Sequence, residues 1–334
     1  MEIFINHAIL HVLDNDGGES RFSNEELDID SDVCSDFIIK HVKKLMNNPA
    51  VKEATFDPES PVHQDIQKFV NGEIYFKDAS LTICQRLNEI MAANVEIPSG
   101  DVLVAQFEAG NDAYLAILKL NYKECYAHES GDGENGTDNQ IVKYRHVLPF
   151  DNGKVEEACL IPYHPMVIRL LEKPYMVNGE PRNYFSELFL CCSPELSKKE
   201  TAQIINEITE EITEKYFQGS VETAAKIKVA LMEEAIEEEG AISIASVASR
   251  VFTEPEQEEA RQEYINLAKE AGIRPEVDFG EKFTKQQFSA HRFKADNGIE
   301  VKFPAELSDD SNIIEFQNHE DGSVTIILKN MRRG

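Results

Sequence analysis

Positive charge is scarce in this chain of 334 residues. The sequence has 33 Lys and Arg against 61 Asp and Glu, a formal net charge of −28 at pH 7. Because such an excess of carboxylates repels phosphate, the composition excludes a protein that coats nucleic acid with its whole surface. Contact with nucleic acid must therefore be local. The alternative is that the acidic surface imitates DNA or docks on a basic partner.

Several other features are missing. The six Cys include no CxxC pair and no even spacing, which indicates reduced cytosolic thiols rather than disulfides or a zinc site. No apolar run approaches eighteen residues, and the opening MEIFINHAILHVLD lacks the basic region and the cleavage motif of a signal peptide. We therefore expect a cytoplasmic protein without contact to membranes. GxxxxGK[ST], GxGxxG and HExxH are also absent. The sequence therefore predicts no cofactor and no catalytic residue.

What is present indicates a globular protein of two or three domains, with 42% hydrophobic and 28% charged residues. Residues 3–14 predict a strand that continues through a turn into a hairpin, and three helices follow up to residue 94. GDVLVAQFEAGNDAYLAILKLNYKE predicts a hairpin, and SGDGENGTDN at 130–139 a polar loop before further strands.

The pattern changes near residue 180, where successive helices begin. Ser197 followed by Glu200 is typical of the start of one of them. The end of the chain returns to hairpins with Asn-Gly and Asp-Gly turns. Because strands and helices do not alternate as βαβ units, we predict an α+β protein. We expect residues 1–180 to form a mixed α/β-sheet domain and residues 181–334 to form a helical segment closed by antiparallel β-hairpins.

One basic segment, EKFTKQQFSAHRFKAD at 281–296, interrupts the acidic sequence. Between residues 282 and 295 it has four cations and no carboxylate. Cations interleaved with Phe favour contact with phosphates and stacking on bases. The nucleic-acid-binding residues predicted here are Lys282, Lys285, Phe288, Arg292 and Lys294. The alternative is a surface strand whose Phe288 faces the core while its cations are solvated.

The C-terminal KNMRRG adds three cations: Lys329, Arg332 and Arg333. A basic tail of this kind commonly contacts phosphate, or it serves solubility alone. If the final hairpins form one sheet, the tail and the basic segment make a patch of about seven cations.

Other patterns are open to two interpretations. GAISIASVASRVF has the small residues of a helix-turn-helix unit, but its acidic flanks favour simple helix packing. KHVKK at 40–44 is either a phosphate contact or a helix end favoured by the helix dipole. Glu300-Val301-Lys302, with acidic residues at 276–278, matches the short pattern of metal-dependent nucleases or is ordinary strand alternation. The acidic runs at 233–239 and 254–259 are solvated helix faces or a docking surface.

Several segments together resemble the bacterial nucleoid-associated protein family called NdpA: AILHVLDNDGGESRFSNEELDID, IPSGDVLVAQFE, AYLAILKLNYKECYAH, NYFSELFLCC, IEVKFPAEL and TIILKN. The resemblance covers nearly the whole chain. It implies a non-enzymatic cytoplasmic protein of the bacterial nucleoid that contacts DNA or proteins acting on DNA. A type II topoisomerase is one hypothesis for such a partner. We also expect a homo-oligomer, since a weak DNA-binding patch gains avidity when duplicated.

Overall fold

The computed structural model describes residues 2–133, 136–151, 153–294, 298–319 and 323–332. The chain divides into two compact units, Met1–Glu195 and Leu196–Gly334. Helices and a main antiparallel sheet occur together, and β-hairpins follow at the C-terminal end, which confirms the predicted α+β class.

The first unit is built on a seven-stranded sheet with the strand order β1-β3-β4-β7-β8-β2-β11. Its helices are α1 (Asp32–Met46), α2 (Pro61–Val70) and α3 (Phe76–Ala92), with a π-helix at Phe185–Leu190. The strands of this unit are β1 (Ile3–Leu13), β2 (Lys52–Phe56), β3 (Gly100–Ala109), β4 (Asp112–Asn121), β5 (Lys123–Gly133), β6 (Gly136–Val147), β7 (Glu157–Pro162), β8 (Ile168–Leu171), β9 (Tyr175–Val177), β10 (Glu180–Arg182) and β11 (Cys192–Pro194).

The sheet is covered on both faces. Val102 and Val104 on β3 belong to the core shared with α2 and α3, whereas Leu103 and Ala105 belong to the core shared with α1. Successive side chains of a strand point to opposite faces, so a strand buried on both faces is apolar along its whole length. This explains the four consecutive apolar residues at 102–105 in β3. The hairpin predicted for β3 and β4 is present and turns at Gly110, whose φ of +66° suits glycine.

Two local predictions in this unit were wrong. The N-terminal strand does not continue into a hairpin: β1 pairs with β3, and only an isolated bridge joins Val12 to Arg21. The predicted polar loop at 130–139 is strand wherever the structure describes it, because β5 extends to Gly133 and β6 begins at Gly136. The backbone N–H and C=O groups of the two strands pair with one another, and this pairing does not depend on whether the side chains are polar. The polar sequence therefore did not indicate the strands.

The second unit begins with a helix bundle. Its helices are α4 (Lys198–Phe217), α5 (Val221–Glu237), α6 (Ile244–Val251), α7 (Glu258–Glu270) and α8 (Glu281–Phe288), with 3₁₀ turns at Pro255–Gln257 and Ala305–Asp309. Its strands pair as three two-stranded sheets: β12 (Ala241–Ser243) with β13 (Glu276–Asp278), β14 (Ala290–Lys294) with β15 (Glu300–Pro304), and β16 (Ile314–Asn318) with β17 (Val324–Leu328).

The predicted start of α4 is confirmed. Glu200 N donates to Ser197 Oγ at 3.1 Å, and Ser197 N donates to Glu200 Oε2 at 2.9 Å. The two bonds satisfy backbone donors that the first turn leaves free. None of the described helices combines the length and the apolar character needed to cross a membrane.

Candidate nucleic-acid interface

The first half of the basic segment is helix α8 rather than the strand that the sequence suggested. Thr284 and Phe288, four residues apart, are buried on one side of this helix. Lys282 and Lys285 are exposed, and neither has an ion-pair partner among the residues that the structure describes. Helix α8 therefore presents two available cations to solvent.

The second half of the segment is strand β14, which pairs with β15. Arg292 lies directly opposite Lys302, and Lys294 lies opposite Glu300. Directly opposed residues share a face of a two-stranded sheet, so Arg292 and Lys302 lie on one face of this hairpin. On the other face, Phe303 and His291 are buried. The pairing adds Lys302 to the cations predicted from the sequence.

Arg292 is the one cation of this face that has a described ion pair. Its Nε lies 2.6 Å from Glu300 Oε1, and the two side chains are 63% and 43% exposed. An ion pair so open to solvent contributes about 0–1 kcal/mol. Arg292 can therefore exchange Glu300 for a phosphate at small cost.

A further cation lies beside this face. Lys228 on α5 is half-buried, and its pKa is lowered by burial and by repulsion from Arg292, while Glu210 opposes the shift. Burial and the nearby Lys228 lower the pKa of His291 to about 4. The charges of Lys228 and Arg292 therefore lie close enough to affect one another, and Lys228 also lies close to His291.

We call Lys282, Lys285, Arg292 and Lys302 the basic surface. The sequence analysis did not select Lys302 for the basic surface because the Glu-x-Lys pattern indicated nuclease chemistry instead. Lys228 had no sequence signal, since only the packing of α5 against β14 places it near Arg292.

The prediction that Phe288 stacks on bases was wrong. Its side chain is fully buried in the helical core beside Phe279, with ring centroids 6.1 Å apart, so it cannot stack on a base. The apolar side of a short amphipathic helix must be buried, and Phe288 lies on that side. This removes the aromatic part of the predicted binding surface.

The three tail cations differ in their surroundings. Lys329 contacts Glu315 and donates to Ser311 O at 3.0 Å, so it holds the final hairpin together. Arg332 is exposed. Arg333 lies outside the described residues, as does the side chain of Lys294. The cations of α8 and those of the β14–β15 hairpin thus belong to the same structural unit, and Lys329 has a local structural partner.

The other basic sequence, KHVKK, is engaged within the first unit. Lys40 Nζ lies 2.8 Å from Asp151 Oδ2 and 3.5 Å from Asp36 Oδ2. Lys44 Nζ donates to Gly153 O at 2.6 Å. These contacts favour the structural interpretation of this helix end over a phosphate site.

The helix-turn-helix pattern also has the wrong charge for reading DNA. Helix α6 packs against α7, but Arg250 on α6 is bound by Glu234 at 3.0 Å and by Glu237. The first turn of α7 exposes Glu258 and Glu259. A recognition helix with carboxylates at its N-terminal turn would repel the phosphates that flank the groove.

The nuclease pattern does not match the strand pairing. Glu276 and Asp278 lie on β13, which pairs with β12, whereas Glu300 lies on β15, which pairs with β14. The acidic residues are thus not on neighbouring strands. In the part of the chain that the structure describes, no group of three or more His, Cys, Asp and Glu side chains is arranged to hold a metal ion.

The family described as nucleoid-associated protein YejK has a sequence model that matches residues 9–333. The match spans nearly the whole chain and both structural units. The chain therefore belongs to this family of nucleoid-associated proteins. No curated protein matches the chain.

Proposed function

We propose that the protein associates with the bacterial nucleoid in the cytoplasm without catalysis, and that it binds DNA weakly and directly through the basic surface. The observation that carries the proposal is that Lys282, Lys285 and Lys302 are exposed and have no ion-pair partner among the described residues, although the chain has a net charge of −28.

The buried position of Phe288 changes the mode of binding. Without an exposed Phe288 ring to stack on bases, the basic surface contacts phosphates, and phosphate contacts carry no direct sequence information. Four cations neutralising four phosphates give a slope of log affinity against log salt of about −3.6. Affinity then falls roughly 10²-fold when salt rises from about 50 to about 200 mM. Binding is expected to be weak, tolerant of sequence and strongly dependent on salt.

The test is a titration of a labelled DNA duplex by fluorescence anisotropy at several salt concentrations. The variant Lys282→Ala/Lys285→Ala/Lys302→Ala should bind more weakly and lose about 3 units of the salt slope. A matched control replaces three other exposed lysines, none of them in the basic surface, and changes the net charge equally: Lys77→Ala/Lys199→Ala/Lys269→Ala. Equal affinity and equal slope for the two variants would remove the basic surface from the mechanism.

A second candidate function is supported by the acidic surface of the second unit. The carboxylates of Glu254, Glu256, Glu258 and Glu259 are exposed in succession where α7 begins. Such a surface suits a basic partner, including the DNA-binding face of an enzyme that acts on DNA. A type II topoisomerase is the hypothesis for this partner.

Binding of purified topoisomerase to immobilised protein tests this candidate. The quadruple variant, in which Glu254, Glu256, Glu258 and Glu259 are all replaced by Gln, should bind less topoisomerase while retaining the wild-type DNA affinity. Retention of topoisomerase at the wild-type level by the Gln variant, in the absence of DNA, would exclude this surface as the docking site.

A further inference from the structure

The main sheet of the first unit has an open stretch along one edge. Strand β1 is the terminal strand of this sheet, and it pairs with β3 on its inner side. The later part of its outer side is covered, since Leu27 N donates to Ala8 O at 2.8 Å. Val12 and Arg21 also exchange two backbone hydrogen bonds there. In the described part of the chain, no backbone group pairs with the outer side of Ile3–Asn6. An open strand edge is a template on which a further strand can pair.

A β-bulge just before His7 determines which side chains lie together at this edge. Phe4 lies opposite Glu108, and His7 lies opposite Gln106. Directly opposed residues share a face, and these two β3 residues are two positions apart, so Phe4 and His7 lie on the same face of the sheet. The ring of His7 stacks on Phe76 of α3, with the ring centroids 5.2 Å apart, so α3 covers this face. Phe4 is nevertheless 56% exposed, and its ring is therefore available at the open edge.

A groove of about 760 Å³ lies beside His7, between residues 24–26 and the turn that joins α2 to α3. Aromatic rings from this turn and its helices line one side of the groove: Phe69, Tyr75 and Phe76. Tyr75 is 83% exposed. Exposed aromatic side chains beside a groove indicate a surface that binds another molecule.

The polar side of the groove is acidic. Its charged residues are three carboxylates and one lysine: Glu25, Glu26, Asp78 and Lys77. His7 Nδ1 lies 2.8 Å from Glu26 Oε2, so this carboxylate is engaged. The carboxylates of Glu25 and Asp78 have no hydrogen-bond or ion-pair partner among the residues that the structure describes. Such a groove repels phosphate and attracts an ammonium or guanidinium group, which is also favoured by contact with an exposed aromatic ring.

From this geometry we propose that the open edge of β1 and the adjoining groove bind an extended segment of another protein that has Lys or Arg at alternate positions. The backbone of the segment pairs with Ile3–Asn6 as an added strand. Alternate side chains of a strand share a face, so one basic side chain lies on Phe4 while another reaches the groove. There Glu25 and Asp78 bind its charge, and the ring of Tyr75 packs on its apolar stem. Main-chain bonds supply affinity in this mode of recognition, and the side-chain contacts supply specificity. The proposal does not depend on DNA binding by the basic surface, which belongs to the second unit.

Two labelled peptides of about ten residues test the proposal by fluorescence anisotropy with the full chain. One peptide alternates Thr and Lys, and the other alternates Thr and Glu. The titration uses about 0.15 M salt, which screens the long-range attraction of an acidic protein for any cation. The Lys peptide should bind and the Glu peptide should not. Failure of the Lys peptide to bind would overturn the proposal.

The decisive comparison is between two variants that each lose one carboxylate and one exposed aromatic ring. The groove variant is Tyr75→Ala/Glu25→Gln, and the control, at exposed residues that do not line the groove, is Phe150→Ala/Glu89→Gln. Because all four side chains are exposed, both variants should keep the wild-type melting temperature. The groove variant should bind the Lys peptide roughly tenfold more weakly, and the control should bind it as the wild type does. Equal affinity of the two variants would mean that the peptide binds the acidic surface in general, and would overturn the proposal.

Hydrogen exchange tests the addition of a strand separately. In the wild type, the bound Lys peptide should slow the exchange of backbone amides within Ile3–Asn6, because outward N–H groups there gain a partner. Exchange at β11, the strand at the other edge of the sheet, should not change. A peptide that binds without slowing exchange at Ile3–Asn6 would contradict pairing with β1.

Discussion

The most demanding stability prediction concerns an ion pair inside the first unit. Lys119 on β4 and Glu157 on β7 are both fully buried, and Lys119 Nζ lies 3.2 Å from Glu157 Oε2. Lys119 also donates to Pro98 O at 2.9 Å and to Asn121 Oδ1 at 2.5 Å. Burial lowers the pKa of Lys119, while the neighbouring carboxylate of Glu157 opposes the shift. The charged lysine therefore depends on its partner.

Replacing Lys119 by Met leaves the Glu157 carboxylate without its cation. Removing one partner of a buried pair typically lowers the free energy of unfolding by about 3–5 kcal/mol. This is a large part of the roughly 5–15 kcal/mol that stabilises an ordinary domain. Glu157→Gln should also lower the free energy of unfolding, because it leaves the buried ammonium group of Lys119 without its carboxylate. The double variant Lys119→Met/Glu157→Gln should cost far less than the sum of the two, because no uncompensated charge remains buried.

Hydrogen exchange of peptides covering β4 and β7 measures the opening of the first unit separately from the second. The four proteins form a double-mutant cycle with an expected coupling of about 3 kcal/mol. Additive effects, agreeing within about 0.5 kcal/mol, would refute the view that the two charges stabilise one another.

Two further predictions concern buried rings. His11 is fully buried and accepts a hydrogen bond at Nδ1 from Ser23 N. Burial lowers the pKa of His11 to about 4. The neutral ring therefore stabilises the fold above the unfolded pKa of about 6.5, and this stabilisation is lost as the pH falls toward 4. The free energy of unfolding of the first unit, measured with urea, should therefore fall by about 2 kcal/mol between about pH 7 and pH 5 because of His11. The variant His11→Gln should lack this part of the pH dependence. An unchanged pH dependence in the variant would contradict the role given to His11. Phe288→Leu should lower the stability of the second unit by about 1 kcal/mol and leave the DNA affinity unchanged, whereas a loss of affinity without a loss of stability would restore Phe288 to the binding surface.

The local elements were largely predictable from the sequence. Charge order indicated helix α1, periodic apolar residues indicated α2 and α3, and Ser197 with Glu200 marked the start of α4. These signals arise between residues close together in the chain. The basic segment was also visible in the sequence. Its conformation was not: a short helix and a short strand have similar apolar spacing when only Phe283, Phe288 and Phe293 are available to judge it.

The sequence alone determined the charge balance, the α+β class, most of the helices and the position of the basic segment, since each follows from composition or from neighbouring residues. Tertiary structure decided which side chains remain available. It buried Phe288, paired Lys329 with Glu315, placed Lys302 opposite Arg292 and extended β5 to Gly133 and the start of β6 to Gly136, within the segment predicted as a loop. The physical reason is that the burial of a side chain and the proximity of charges depend on segments far apart in the chain, whose packing no local pattern encodes.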